Sequence, residues 1–175
     1  MLNRCLVEGF AEGGSILIGH QLSRGDRKEA IQYAVATECI ALCLGALLLI
    51  LVLMFPEFIV NVFNSEKATV ETGVSALRFF AGFLFISTIG FPFEVIFTHN
   101  GWGRFALCAE FMPIITFTLG LTLLLTKYFQ LGIYAAWLSL GLYMVTYSAL
   151  LIGGFFSKKW LEVNVESDRM QADIA

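Results

Sequence analysis

The stretch that decides the fold is residues 33–55, YAVATECIALCLGALLLILVLMF, in which Glu38 is the only charged residue. About 20 residues of α-helix rise roughly 30 Å, which matches the hydrocarbon core of a bilayer. Three further stretches of similar length and composition follow it, at Val74–Phe97, Phe105–Thr126 and Gly132–Phe156. A soluble domain of this size has no use for four such segments, so the chain is predicted to be an integral membrane protein.

A fifth helix is predicted ahead of these four. The segment Leu2–Gln21 is the most polar of the five, but its glycines, its alanines and the run from Ile16 to Ile18 suit close helix packing in lipid. The predicted helices span approximately residues 2–21, 31–55, 74–98, 105–126 and 132–156. Together they would form an all-α membrane bundle over residues 1–160, followed by a polar tail at residues 161–175.

Basic residues in the loops indicate the orientation. Seven of them fall in loops that the bundle would place on one side of the membrane: Arg24, Arg27, Lys28, Arg104, Lys158, Lys159 and Arg169. Only Lys67 and Lys127 fall in the alternate loops. Because cytoplasmic loops carry the excess of Lys and Arg, we expect a multi-pass protein of the cell inner (plasma) membrane with a cytoplasmic C-terminus.

Composition and motifs argue against an enzyme and against a nucleic-acid-binding protein. Charged residues make up only 14% of the chain and the net charge is −3, so the chain is not basic enough to indicate nucleic-acid binding. The chain has no P-loop, no GxSxG and no nucleophile–base spacing. The four cysteines (Cys5, Cys39, Cys43 and Cys108) form no CxxC pattern and have no partnering histidines. We therefore predict no metal site and no cofactor, and interpret the cysteines as small buried residues.

Acidic residues inside the predicted spans are the candidates for function, because a charge near the bilayer centre costs at least about 2.5–3.5 kcal/mol. Glu8 and Glu12 are four residues apart and share one face of the first helix. Two carboxylates this close repel each other when both are ionised, so the pair can exchange a proton or share a cation. The alternative is an exposed helix at the membrane surface, with both acids solvated.

Glu38 and Glu94 complete the set of candidates for cation or proton coupling. Glu38 lies about two turns into the second span, where it either faces the same cavity as the first-helix acids or extends towards water. Glu94 and Glu110 lie about one turn from the ends of their helices. For both, extension towards water or pairing with Arg104 is the expected arrangement.

Small residues, tryptophans and prolines give further expectations. Gly9 and Gly13 form a small-xxx-small face about 100° from the acidic face, and with Gly19 they are expected to let the first helix pack closely against a neighbour. Trp102 and Trp160 are expected to anchor helix ends at the interface.

The prolines mark the expected ends and bends of the spans. Pro56 is predicted to end the second span, because proline does not continue a helix comfortably. Pro92 and Pro113 lie inside the third and fourth spans, where they are expected to introduce kinks.

Four motifs, in order, resemble the multidrug and toxic compound extrusion (MATE) family. They are GFAEGGSILIGHQLSRGD at residues 9–26 with Ala30, PEFIVNVFNS at residues 56–65 with Leu77 and Arg78, NGWGR at residues 100–104, and LGIYAAW at residues 131–137. The first resembles the family's small-residue helix that ends in a Gly-Asp turn, with Ser23 where the family has a glycine. The resemblance that they define covers about residues 9–160.

The resemblance implies most of one six-helix lobe, helices eight to twelve of a two-lobed transporter. It also implies exchange of Na⁺ or H⁺ as coupling ion for a cationic, amphipathic small molecule. Glu12 falls in a helix where some members carry a functional acid, and Glu94 is nearest to the acid that members carry in the tenth helix. The expected partners are the lipid bilayer, the cationic substrate and a missing N-terminal lobe or second chain, without which the chain is expected to be inactive.

Two alternatives remain open at this point. One is a flippase for lipid-linked saccharides, or a polysaccharide exporter, of the same superfamily, which cationic residues in the cavity would favour. The other is a membrane subunit that binds a partner and transports nothing.

Overall fold

The computed structural model describes residues 2–63, 66–130 and 132–161. All regular secondary structure in these ranges is helical, as predicted. The helices are α1 (Leu2–Ser23), α2 (Arg27–Met54), α3 (Pro56–Phe63), α4 (Lys67–His99), α5 (Gly103–Pro113), a π-helical segment (Ile114–Leu121), α6 (Thr122–Phe129) and α7 (Ile133–Phe156). All but the first residue of the predicted tail at residues 161–175 lies outside the described residues.

Within the described ranges, four helical segments are long and apolar enough to cross a membrane. They are Arg27–Met54, Thr69–His99, Gly103–Phe129 and Ile133–Phe156. Helix α1 forms over 22 residues, close to the predicted bounds, but it is not among the four apolar segments. That α1 also crosses the membrane stays a prediction.

The three prolines behave differently from one another. Pro56 ends α2 as expected, but it also begins α3, which the sequence analysis did not predict; proline is favoured at the first position of a helix. Helix α4 continues through Pro92. Pro113 is followed directly by the π-helical segment, in which the amide of Thr122 donates to the carbonyl of Phe117, five residues back. The fourth span is therefore irregular where a kink was predicted.

Helix α4 is the centre of the bundle and packs against α1, α2, α5 and α7. The contacts are close because one partner in each is small. A Cβ atom added to Gly90 of α4 would lie 2.8 Å from the Cα atom of Ser148 on α7, and one added to Gly45 of α2 would lie 2.8 Å from the Cγ2 atom of Thr88 on α4. Helices α1 and α2 approach in the same way, at Gly14 and Thr37. Such contacts are the usual basis of helix association in lipid.

The larger buried cluster lies where the α1–α2 turn, the α4–α5 turn and the end of α7 meet. Its members are Ile18, Leu22, Ala30, Ala34, Phe93, Ile96, Phe97, Ala106, Ala109, Tyr147, Leu151, Trp160 and Leu161. We call this region the basic end, because exposed Arg24, Arg27, Lys28, Arg104, Lys158 and Lys159 surround it. The loops predicted to share one side of the membrane therefore do lie together.

Two glycines shape the turns at the basic end. Gly25 has φ +80° and Gly101 has φ +86°, a backbone conformation that residues with a Cβ rarely adopt. These are the glycines of the Gly-Asp and NGWGR motifs, so both motifs encode tight reversals between neighbouring helices.

Trp160 corrects one expectation. Its side chain is 0% exposed and its indole nitrogen donates to the carbonyl of Phe155 at 3.2 Å. The indole contacts Phe97 and stacks on Phe155, with ring centroids 6.2 Å and 5.7 Å away. The prediction that Trp160 anchors a helix end at the interface was therefore wrong, because the residue closes the core of the basic end. Trp102 is half-buried and stacks on Phe105.

Away from the basic end, large apolar side chains point outward. Met54, Phe58, Phe63 and Leu123 are between 67% and 86% exposed. In water such a surface would be unfavourable, whereas in a bilayer lipid tails cover it without penalty. Burial in this chain is therefore set by helix contact and not by hydrophobicity.

Substituting Gly90 tests the contact between α4 and α7. We expect Gly90→Ala to destabilise the purified chain by about 1–3 kcal/mol, because the added methyl group meets the backbone of Ser148. Gly82→Ala is the matched control, since a Cβ atom there has nothing within 4 Å and α4 would gain up to about 1 kcal/mol in helix propensity. Unfolding in mixed detergent micelles measures both variants, and equal stability of the two would contradict the packing described here.

Candidate functional site

Glu38 is the most deeply buried acid among the described residues. It is 8% exposed, and neither carboxyl oxygen has a hydrogen-bond partner in the described part of the chain. Eleven residues separate it from Arg27 at the start of α2, which places it roughly 16 Å along the helix and well inside the span. Among the described residues, the carboxyl group is therefore enclosed between helices and does not extend from the surface of the bundle.

The helix period explains why Glu38 points inward. It lies on the one stripe of α2 that is buried, with Ala34 four residues before it and Ala41 three residues after it. Ala41 packs with Val7 of α1 and Phe91 of α4 in a small apolar cluster. The small side chains bring α1 and α4 close to α2 next to the buried carboxyl group.

Glu94 lies in a second environment, between α4 and α7. Its carboxylate accepts a hydrogen bond from the hydroxyl of Tyr147 on α7. The ring of Tyr143, one turn earlier on α7, stacks on that of Tyr147 with centroids 5.9 Å apart. The hydrogen bond joins α4 to α7 and places the carboxylate of Glu94 against a tyrosine. Arg104, the partner expected from the sequence, is exposed.

Sequence analysis missed Tyr143 and Tyr147. Two tyrosines four residues apart in an otherwise apolar span share one face, and each hydroxyl needs a partner when buried. That spacing was a usable signal, but nothing in the sequence identified which acid it would meet.

Glu8 and Glu12 lie beside the buried face of α1, not on it. The buried stripe consists of Val7, Ala11, Ser15, Ile18 and Leu22, and the acidic face is turned about 100° from it. Glu8 is half-buried and Glu12 is exposed. The described residues therefore do not bring these two acids and Glu38 into one cavity.

The glycines of α1 also divide into exposed residues and residues that pack against a neighbouring helix. Gly9 and Gly13 are exposed, and a Cβ atom on either would have nothing within 4 Å, so their predicted packing does not occur among the described residues. Gly19 does pack, since a Cβ atom there would lie 3.0 Å from the Oδ1 atom of Asn100. Gly14, which was not singled out, makes the close contact with Thr37 instead.

Ser15 and His99 tie α1 to α4 next to this contact. The Ser15 hydroxyl lies 2.7 Å from the Nδ1 atom of His99 and 2.8 Å from the carbonyl oxygen of Glu12. Ser15 is 1% exposed, whereas His99 is exposed at the end of α4. The pair fixes the depth of α1 relative to α4.

The cysteines also correct an expectation. Cys39, Cys43 and Cys108 are free thiols on outward faces of their helices, where they were predicted to be buried. In the described ranges, no group of three or more His, Cys, Asp and Glu side chains is placed to hold a metal ion.

An apolar groove lies further along α2 than Glu38, towards the end of the bundle opposite the basic end. Its volume is about 850 Å³, and apolar residues of α2, α3 and α4 line it, including Phe55, Phe58 and Phe85. Gly45 lies in its wall, seven residues or roughly 10 Å along α2 from Glu38.

This chain combines a bundle of apolar spans with acidic side chains inside them. Such a combination is typical of membrane transporters, in which intramembrane acids mark ion and substrate pathways. The MatE family pattern matches residues 5–122, more than half of the chain, and the chain belongs to that family of membrane transporters. This confirms the resemblance drawn from the four motifs. It also agrees with the absence of enzyme motifs, because members of the family are transporters and not enzymes.

A curated relative points the same way. The probable multidrug resistance protein NorM of Thermotoga maritima is 22% identical over 152 residues, which cover 87% of this chain and 33% of that protein. The chain thus spans about a third of the relative's length, which fits the expectation of a single partial lobe. No solved structure matches the chain significantly.

Tyr147→Phe tests the contact with Glu94. We expect a loss of about 1.5–3 kcal/mol in the free energy of unfolding, because the substitution removes the hydroxyl that donates to the half-buried carboxylate of Glu94. Tyr134→Phe on the same helix is the control and should change stability by less than about 0.5 kcal/mol, since Tyr134 is 66% exposed. A double-mutant cycle with Glu94→Gln measures the coupling directly, and additive effects would rule out the interaction.

Proposed function

We propose that this chain is part of a secondary active transporter that exports amphipathic organic cations in exchange for Na⁺ or H⁺. The observation that carries the proposal is the position of Glu38, a buried acid about two turns from the end of an apolar groove and without a hydrogen-bond partner among the described residues. An acid next to an apolar groove complements a molecule that carries a positive charge on an apolar body. A buried carboxylate also needs a cation or a proton to offset its charge.

Coupling follows if the two positive species compete for one acid. A carboxyl group that has bound an ion or a proton no longer attracts the substrate, and a bound substrate displaces the ion. When the site opens to each side of the membrane in turn, such competition converts an ion gradient into export. The acidic character of the intramembrane set favours a cationic substrate over the anionic lipid-linked saccharides of the alternative.

Glu8 and Glu12 support a role for a second lobe. Glu12, Gly9 and Gly13 are exposed on α1 and Glu8 is half-buried, and a Cβ atom on either glycine would meet nothing within 4 Å in the described part of the chain. An exposed face with acids is poorly suited to lipid, and the neighbouring glycines allow another helix to approach closely. We propose that this face meets a missing N-terminal lobe or a second chain, and that the chain alone is inactive.

The basic end is proposed to face the cytoplasm of a cell whose inner or plasma membrane holds the protein, with the C-terminus on the same side. A test uses single cysteines at Ser157→Cys and Glu66→Cys after replacement of the native cysteines by serine. Ser157→Cys should react with an impermeant maleimide only after the cells are permeabilised, and Glu66→Cys should react in intact cells. The reverse pattern would invert the orientation.

Dye efflux tests the transport proposal. In cells without their own exporters, the chain should give no efflux of a cationic dye alone and should give efflux when expressed with an N-terminal lobe from the same genome. Glu38→Gln should reduce efflux to background, because the amide binds neither an ion nor a proton in place of the carboxyl group. Glu57→Gln is the control, since Glu57 is exposed on α3.

The alternatives predict different results. Co-purification of both halves without efflux would support a subunit that binds a partner and transports nothing. Full efflux by Glu38→Gln would remove Glu38 from the coupling site while leaving the transporter assignment in place.

A further inference from the structure

We infer that the cation taken up by Glu38 is a proton and that the surroundings of this carboxyl group exclude Na⁺. The inference rests on the proposed coupling role of Glu38 and goes beyond it by naming the ion. It follows from what surrounds the two carboxyl oxygens on each packed helix.

A sodium ion that leaves water needs several oxygen ligands in place of its hydration shell. In transporters these come from broken helices, where unwound backbone carbonyls point at the ion. Here α2 runs unbroken from Arg27 to Met54, and α1 and α4 are unbroken where they pass it. Their backbone carbonyls at this level are used within the helices.

Pro92 supplies the one candidate exception on α4. Its missing N–H removes the usual helical partner of the carbonyl of Thr88. The side chain of Thr88 lies against Gly45, which is roughly 10 Å along α2 from Glu38. An ion held by the carboxyl group of Glu38 would therefore not be in contact with that carbonyl.

The nearby hydroxyl groups serve other partners. Thr37 precedes Glu38, but its hydroxyl donates to the carbonyl of Tyr33 at 2.8 Å, and its side chain packs on Gly14. The hydroxyl of Ser15 is shared between Glu12 and His99. Neither hydroxyl is a hydrogen-bond partner of Glu38.

The described side chains packed on the stripe of α2 next to Glu38 are apolar. Ala34 and Ala41 flank Glu38 on α2, and Ala41 packs with Val7 of α1 and Phe91 of α4, with Val95 against them. None of these side chains offers an oxygen atom to a metal ion. A proton needs none, because a protonated carboxyl group is neutral and its burial requires no further ligand.

The other titratable groups on the packed helices do not complete a sodium site. On α1, Glu8 and Glu12 lie on a different face and His20 is exposed. On α4, Glu94 bonds Tyr147, and His99 pairs with Ser15. Glu57 of α3 is exposed beyond the far end of α2, and Tyr33, Cys39 and Cys43 of α2 itself are exposed. In the described part of the chain, Glu38 thus has no neighbouring acid with which to share a metal ion.

Infrared spectroscopy of the full chain in lipid nanodiscs tests the inference without transport. Glutamate labelled with ¹³C at the side-chain carboxyl group separates these groups from the peptide bands. Near neutral pH, wild-type chain should show the C=O stretch of a protonated carboxyl group, and Glu38→Gln should lose that component. Glu57→Gln should retain it. Exchange of choline chloride for NaCl should leave the band unchanged.

Two outcomes would overturn the inference. One is conversion of the band to carboxylate when NaCl is added, which would mean that Na⁺ displaces the proton. The other is a spectrum in which Glu38→Gln removes only a carboxylate signal, which would mean that the group is ionised at rest. If Glu38→Gln does not fold, Glu38→Leu provides the same comparison, because the lining is apolar, and the salt comparison needs only wild type.

The experiment separates this inference from the proposed function. A proton on Glu38 together with no efflux in the presence of an N-terminal lobe would contradict the transport proposal alone. Efflux driven by a Na⁺ gradient and lost in Glu38→Gln would contradict the proton assignment alone.

Discussion

Lipid tails are as apolar as leucine, so the helices of this chain gain little from burying apolar surface against one another. The bundle depends instead on close approach at small residues. Gly90 lets α4 reach the backbone of α7, Gly45 lets α2 reach α4, and Gly14 lets α1 reach α2. Because all three contacts involve α4 or its direct neighbours, they fix the helix that carries Glu94 and bring together the helices that enclose Glu38.

Close packing at small residues has a second consequence for the acids. It excludes water from the space between the helices, and a carboxyl group caught there must find a donor, a cation or a proton. Glu94 finds the hydroxyl of Tyr147. Glu38 has no such partner in the described part of the chain. Close packing therefore leaves the two acids in different environments, depending on which side chains the facing helix places next to them.

The predictions that depend on the thickness of the bilayer were the most successful. The length of the apolar segments matched the hydrocarbon thickness, so four spans and the all-α class could be predicted. The glycines of the Gly-Asp and NGWGR motifs do adopt positive φ in tight turns. The errors concern neighbours: Trp160 lies in the core, the described cysteines face outward, and Gly14 rather than Gly13 makes the close contact.

The sequence by itself determined that this chain lies in a membrane, where its spans run and which acids those spans carry. Each of these follows from local composition and from the free energy of placing a charge in hydrocarbon. Only the tertiary structure decided that Glu38 is enclosed, that Glu94 meets Tyr147 and that Glu12 is left on an open face. A soluble helix shows its buried side by its apolar stripe, but a helix in lipid is apolar on both its packed and its lipid-facing sides. Its rotation and its partners are therefore set by contacts with helices that are distant in the sequence, and no local sequence pattern indicates them.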